Sequence, residues 1–197
     1  MATVYERRSG VSWSAVTPSV LTYIERTGEG YAARDNGEGF AAFTLELGGK
    51  HPAYDAVNDR LPRAVRPYAW YLRVPDLPGF VRLIGPVLER RLADSPAAGH
   101  TGELKISFIT GGLRLSFDGG RLAGVKGWMP TQADSRLAPR VRDALFPSLT
   151  FLQVLFGFRS VADLEHAFPD CVISSEVSRE LLDVLFPKHT SMVRGVG

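Results

Sequence analysis

Hydrophobic and polar positions change period three times between residues 68 and 128. Residues 68–74 (YAWYLRV) form a dense aromatic and apolar run, the pattern of a strand covered on both faces. Behind Asp76, a side chain suited to capping, Leu77, Phe80, Val81, Ile84, Leu88 and Leu92 recur at helical spacing and predict a helix over 76–94. Then the period drops to two. Leu104, Ile106 and Phe108 alternate with Glu103, Lys105 and Ser107, and Leu113, Leu115 and Phe117 alternate with Arg114 and Ser116. These are strands over 103–109 and 113–117, joined at Thr110-Gly111-Gly112. A turn at Asp118-Gly119-Gly120 leads into a third strand over 121–125, and the short loops predict an antiparallel meander.

The signals upstream are weaker. Residues 2–8 read as a short strand. Thr17 and Pro18 suit the cap and first position of a helix whose face is Val20, Leu21 and Ile24, weakened after Gly28 and Gly30. Asp35-Asn36-Gly37 reads as a turn, 40–47 as a strand ended by Gly48-Gly49, and 54–57 as a short helix. Pro62 and Pro67 mark an extended connector, which places a boundary between an N-terminal α+β segment, 1–66, and a second domain, 67–197. Downstream, 139–145 suggests a helical turn. Ser148 is placed to cap an apolar helix over 149–158 that Gly157 ends. Ser160 and Asp163 form a capping-box pattern for a helix reaching Phe168. Ser178 is placed to cap a last helix with Leu181, Leu182, Leu185 and Phe186 on one face, stopped by Pro187. The fold class is α+β: a mostly antiparallel sheet backed by helices.

Composition narrows the classes. A chain of 197 residues with 45% hydrophobic and 22% charged residues can bury a sizeable core without a metal or disulfide. Its 23 basic and 21 acidic residues nearly balance, so charge gives no case for a nucleic-acid partner. No apolar run reaches the roughly 20 residues of a membrane span. The single cysteine, Cys171, excludes an internal disulfide and fits a reducing, cytoplasmic setting; it reads as a small buried residue rather than a nucleophile.

No strong catalytic motif is present. His51, His100, His166 and His189 lack metal-ligand spacing and read as solvated surface residues, so no metal is expected. Gly28 and Gly30 have the spacing of an acetyl-CoA pyrophosphate loop. Glu25, however, stands where that loop has Gln or Arg, and a carboxylate has the wrong sign there. No cofactor-binding residue is assigned in this chain. The apolar run 149–158 is the candidate site: Phe151, Leu152, Leu155 and Phe156 could line a pocket for an acyl chain or other apolar ligand, or form core or a domain interface.

In order and wording, 68–93 (YAWYLRVPDLPGFVRLIGPVLERRLA), the strands of 103–125, 146–159 (FPSLTFLQVLFGFR) and 181–188 (LLDVLFPK) resemble the C-terminal sterol-carrier-like domain of GNAT-superfamily N-acetyltransferases, including the enhanced-intracellular-survival type. The resemblance covers about 68–190, and 1–66 is similar to a remnant of an acetyltransferase-like fold. It implies a sterol-carrier-like sheet backed by helices. It implies acetyl-CoA only for a full-length relative, since no acetyl-CoA domain is expected in this sequence. Some relatives bring the terminal carboxylate into the catalytic domain, and the matching group here is that of Gly197. The expected role is a non-catalytic accessory module packing on a catalytic acetyltransferase domain or on a second copy. A carrier of an apolar, acyl or sterol-like small molecule is the first alternative, and a degenerate acetyl-CoA-dependent acetyltransferase the second.

Overall fold

A computed structural model describes residues 1–34, 39–60, 72–129, 142–147 and 149–190. Two compact units are built on Met1–Ala69 and on Trp70–Ser191.

In the first unit, α1 (Trp13–Arg34) begins ahead of Thr17. The Ser12 hydroxyl caps it, accepting from the Ala15 N–H at 3.2 Å. Thr17 is therefore not a cap: it is buried within the helix, with its hydroxyl 3.2 Å from that of Tyr5. Gly28 and Gly30 do not end the helix either, which runs on to Arg34. A short helix, α2 (Pro52–Asp55), and a 3-10 turn, Asn58–Arg60, follow. Neither N-terminal strand forms; only a single bridge joins Ala2 to Leu45. Instead, the Tyr54 hydroxyl accepts from the Leu47 N–H and donates to the Leu45 carbonyl, taking groups that a partner strand would use. His51 is half-buried, not solvated. Its Nδ1 accepts from the Ala53 N–H to cap α2, its Nε2 lies 3.0 Å from the Tyr5 carbonyl, and its ring packs against Trp13.

The second unit opens with two helices where one stripe predicts one. They are α3 (Leu77–Leu83), capped by the Asp76 carboxylate accepting from Gly79 N–H at 2.9 Å, and α4 (Gly85–Ala93). Pro86 has no N–H to bond back into α3, and the chain kinks at Ile84. Val81, Leu88 and Leu92 of the stripe are fully buried, while Leu83 and Val87 on the opposite face are exposed.

β1 (Gly102–Ser107), β2 (Gly112–Asp118) and β3 (Arg121–Trp128) form the antiparallel meander. β4 (Ala144–Leu145) adds to β1 in parallel, and β5 (Val172–Ile173) pairs antiparallel with β4, giving the order β3-β2-β1-β4-β5. Ala144 and Leu145 are thus strand, not part of a helical turn. Asp143 fixes this addition: its carboxylate accepts from the Lys105 N–H at 2.7 Å and from the Ser178 hydroxyl at 3.2 Å. The free edge of β3 is covered by side chains of the two preceding helices. Arg82 donates to the Val125 carbonyl and Glu89 accepts from the Leu122 N–H, occupying groups an exposed edge would offer to another chain.

Three further helices complete the unit: α5 (Thr150–Leu155), α6 (Val161–Ala167) and α7 (Glu176–Leu185). Ser160 and Asp163 form the reciprocal capping box. Ser175, not Ser178, caps α7, because Ser178 is the third helical residue and turns inward toward Asp143. The core lies on one face of the sheet, where Leu104, Ile106, Leu113 and Leu115 meet Leu88, Phe146, Phe151, Leu182 and Phe186. Residues 68–71, 35–37, 61–67, 139–141, Ser148 and the tail to Gly197 lie outside the described residues. Leu72–74, the rest of the first predicted strand, is not strand.

Candidate functional site

The apolar helix α5 is held at its C-terminal end by glycine. Gly157 adopts φ 69°, its N–H donates to the Val154 carbonyl at 2.8 Å, and the Phe158 N–H reaches back to Gln153 at 2.8 Å. This is a Schellman closure, and it orients α5 with Phe151, Leu152, Val154 and Leu155 inward.

Phe151 is the hub of the aromatic packing beneath the sheet. Its ring centroid lies 5.4 Å from Phe108, 5.5 Å from Phe146 and 5.5 Å from Phe186. Packing at these distances fills the sheet–helix interior around it. Leu155 is buried in the same core, and the Phe156 ring packs at a 41° tilt against Phe80, 5.4 Å between centroids.

The recess in this region lies at the surface. A hollow of about 400 Å³ is lined by Phe151 and Leu152 of α5, Phe108 after β1, Leu149, and Arg73, Val74, Pro75 and Leu77 before and at the start of α3. Of the four sequence candidates, Phe151 and Leu152 line it; Leu155 and Phe156 do not. Sequence reasoning missed Phe108, Val74 and Leu77, which come from distant positions. The available signal was that Phe108 and Leu77 are the outermost members of their apolar patterns, where coverage by the core runs out.

One backbone feature adjoins the hollow. Ile109 has φ 72°, and the Thr110 N–H donates to the Phe108 carbonyl across it at 2.9 Å. That is the strained form of the γ-turn, held here by a β-branched residue.

The titratable groups are engaged structurally. Burial pushes the Cys171 thiol up, away from thiolate character, although the Thr150 hydroxyl works weakly against this. Partial desolvation raises the Asp183 carboxyl, which is exposed on α7, and Arg179 opposes the shift. The Arg179 guanidinium forms a two-armed pair with Glu165 that ties α7 to α6 and raises its pKa. His100 is half-buried beside Phe117, whereas His166 and His189 are exposed. Among the described residues, no three His, Cys, Asp or Glu side chains gather to hold a metal ion, and no helix is long and apolar enough to cross a membrane.

Gly28 and Gly30 sit inside α1, where backbone N–H groups point along the helix to the preceding turn rather than outward in a phosphate-cradling loop. A side chain at Gly28 would collide with the Phe40 ring, so this glycine makes room for packing. Gly197 lies outside the described residues.

No family model, curated protein or solved structure matches this chain.

Proposed function

We propose that this chain works by binding rather than by chemistry, as a non-catalytic accessory module of an N-acetyltransferase-related protein. The observation that carries this reading is the filled interior of the second unit. Phe146, Phe151 and Phe186 close the space between sheet and helices, where a carrier would keep its ligand. An antiparallel meander with helices on one face is also what the sequence resemblance to sterol-carrier-like acetyltransferase domains implies, and this supports the assignment. The partner would be a catalytic domain or a second copy of the chain. Isothermal titration with acetyl-CoA tests the reading: no micromolar binding is expected from this chain alone, and micromolar binding contradicts it.

The surface hollow at Phe108, Phe151 and Leu152 favours a second reading, a carrier that holds an apolar ligand. Its volume falls at the low end of the roughly 300–1,000 Å³ range of small-molecule sites.

A further inference from the structure

The end of α5, the outer face of α6 and the segment after α7 meet around a second recess, separate from the apolar hollow. It measures about 520 Å³ and is lined by Phe158, Arg159, Ala162, Asp163, His166 and Lys188. Three local features assemble it. The Schellman turn at Gly157 swings Phe158 outward, where it is 62% exposed, and the Arg159 N–H shares the Gln153 carbonyl at 3.1 Å. Ala162 and Asp163 stand four and three residues before His166, so both neighbour it on the surface of α6. The His189 N–H donates to the Gly157 carbonyl at 3.0 Å, which docks the segment carrying Lys188 against the turn.

The charges in this recess do not cancel. Asp163 is already engaged: it accepts from the Ser160 N–H at 3.0 Å and from the Lys188 ammonium at 2.6 Å. Arg159 is half-buried, and among the described residues no carboxylate pairs with it. Its guanidinium lies instead over the Phe158 and Phe168 rings, at 5.8 and 5.7 Å from their centroids. These cation–π contacts place the guanidinium between two rings without using its N–H donors, which leaves them for a multidentate oxyanion contact. Two cations, Arg159 and Lys188, against one carboxylate, Asp163, leave a net +1.

We propose that this recess binds a phosphate group, with Arg159 as its principal donor and Lys188 and His166 completing the contact. The ligand class is a small phosphate monoester, since the recess is larger than inorganic phosphate alone requires and the exposed Phe158 side chain lines it beside the cations.

The test uses the full chain and inorganic phosphate, followed by amide chemical shifts at constant ionic strength. Saturable shifts concentrated at Arg159, Ala162 and His166 are expected. Arg159→Gln, which removes the charge and shortens the side chain but keeps it polar, should weaken binding about tenfold or more. Ala162→Glu adds a carboxylate to the recess without removing a packed side chain, and should weaken binding similarly. Shifts reproduced by sodium chloride overturn the proposal. So does phosphate affinity that survives both substitutions, or the lack of any saturable shift at tens of millimolar phosphate. Acetyl-CoA itself carries a phosphate monoester, so its titration is repeated on Arg159→Gln: micromolar acetyl-CoA binding that survives the substitution contradicts the accessory-module reading, on which this proposal does not depend.

Discussion

Gly157 shows how much one position can carry. It closes α5, orients Phe158 and Arg159, and receives the segment that follows α7. Its φ of 69° is costly for a residue with a Cβ, and that Cβ would collide with the His189 ring. Gly157→Ala should lower unfolding stability by about 1–2 kcal/mol, measured by urea denaturation. Asp163 carries the acid side of stability. The Lys188 ammonium beside it, with the Ser160 N–H, lowers its carboxyl from 3.8 to about 2. A carboxylate with a depressed folded pKa stabilises above its unfolded value and loses that contribution as pH falls through the folded one. The wild-type thermal midpoint should therefore fall between pH 3.8 and about 2, and Asp163→Asn should make that fall shallower. The side chain is 38% exposed, so added salt should shrink the difference.

Among the elements, those specified by local chemistry are legible in the sequence. The meander follows from period-two alternation between glycine turns, and α6 follows from the Ser160–Asp163 box. What was not legible depends on partners distant in sequence. β4 exists because Asp143 and Ala144 find the edge of β1, and β5 exists because β4 is there. Two residues of strand carry no period of their own. Ser178 looked like a cap because serine precedes the apolar face; the nearer hydroxyl of Ser175 won, and Ser178 was left to meet Asp143. In the candidate site, Phe151 and Leu152 were legible as apolar side chains, but their partners Phe108, Val74 and Leu77 were not, because a surface hollow is a property of tertiary packing. The β3 edge makes a test at this scale. Glu89→Ala removes the acceptor for the Leu122 N–H, and exchange of that amide should speed up by about tenfold or more. An unchanged rate would show that the edge is protected by something other than α4.

At the scale of the whole molecule, each unit puts its aromatic residues to a different use. In the first, Tyr5, Trp13, His51 and Tyr54 cluster where the N-terminal segment meets the start of α1 and the short α2. In the second, Phe146, Phe151 and Phe186 fill the space behind a sheet, and further apolar side chains line the surface hollow at Phe108 and Leu152. A packed interior opposes uptake of a chain-like ligand, because admitting one would require displacing close-packed side chains at a cost of several kcal/mol. The two functional readings therefore part over a single experiment, titration of the full chain with a fluorescent fatty acid. An accessory module with a filled interior should show no saturable uptake. Stoichiometric, saturable binding that a non-fluorescent fatty acid displaces would contradict the account.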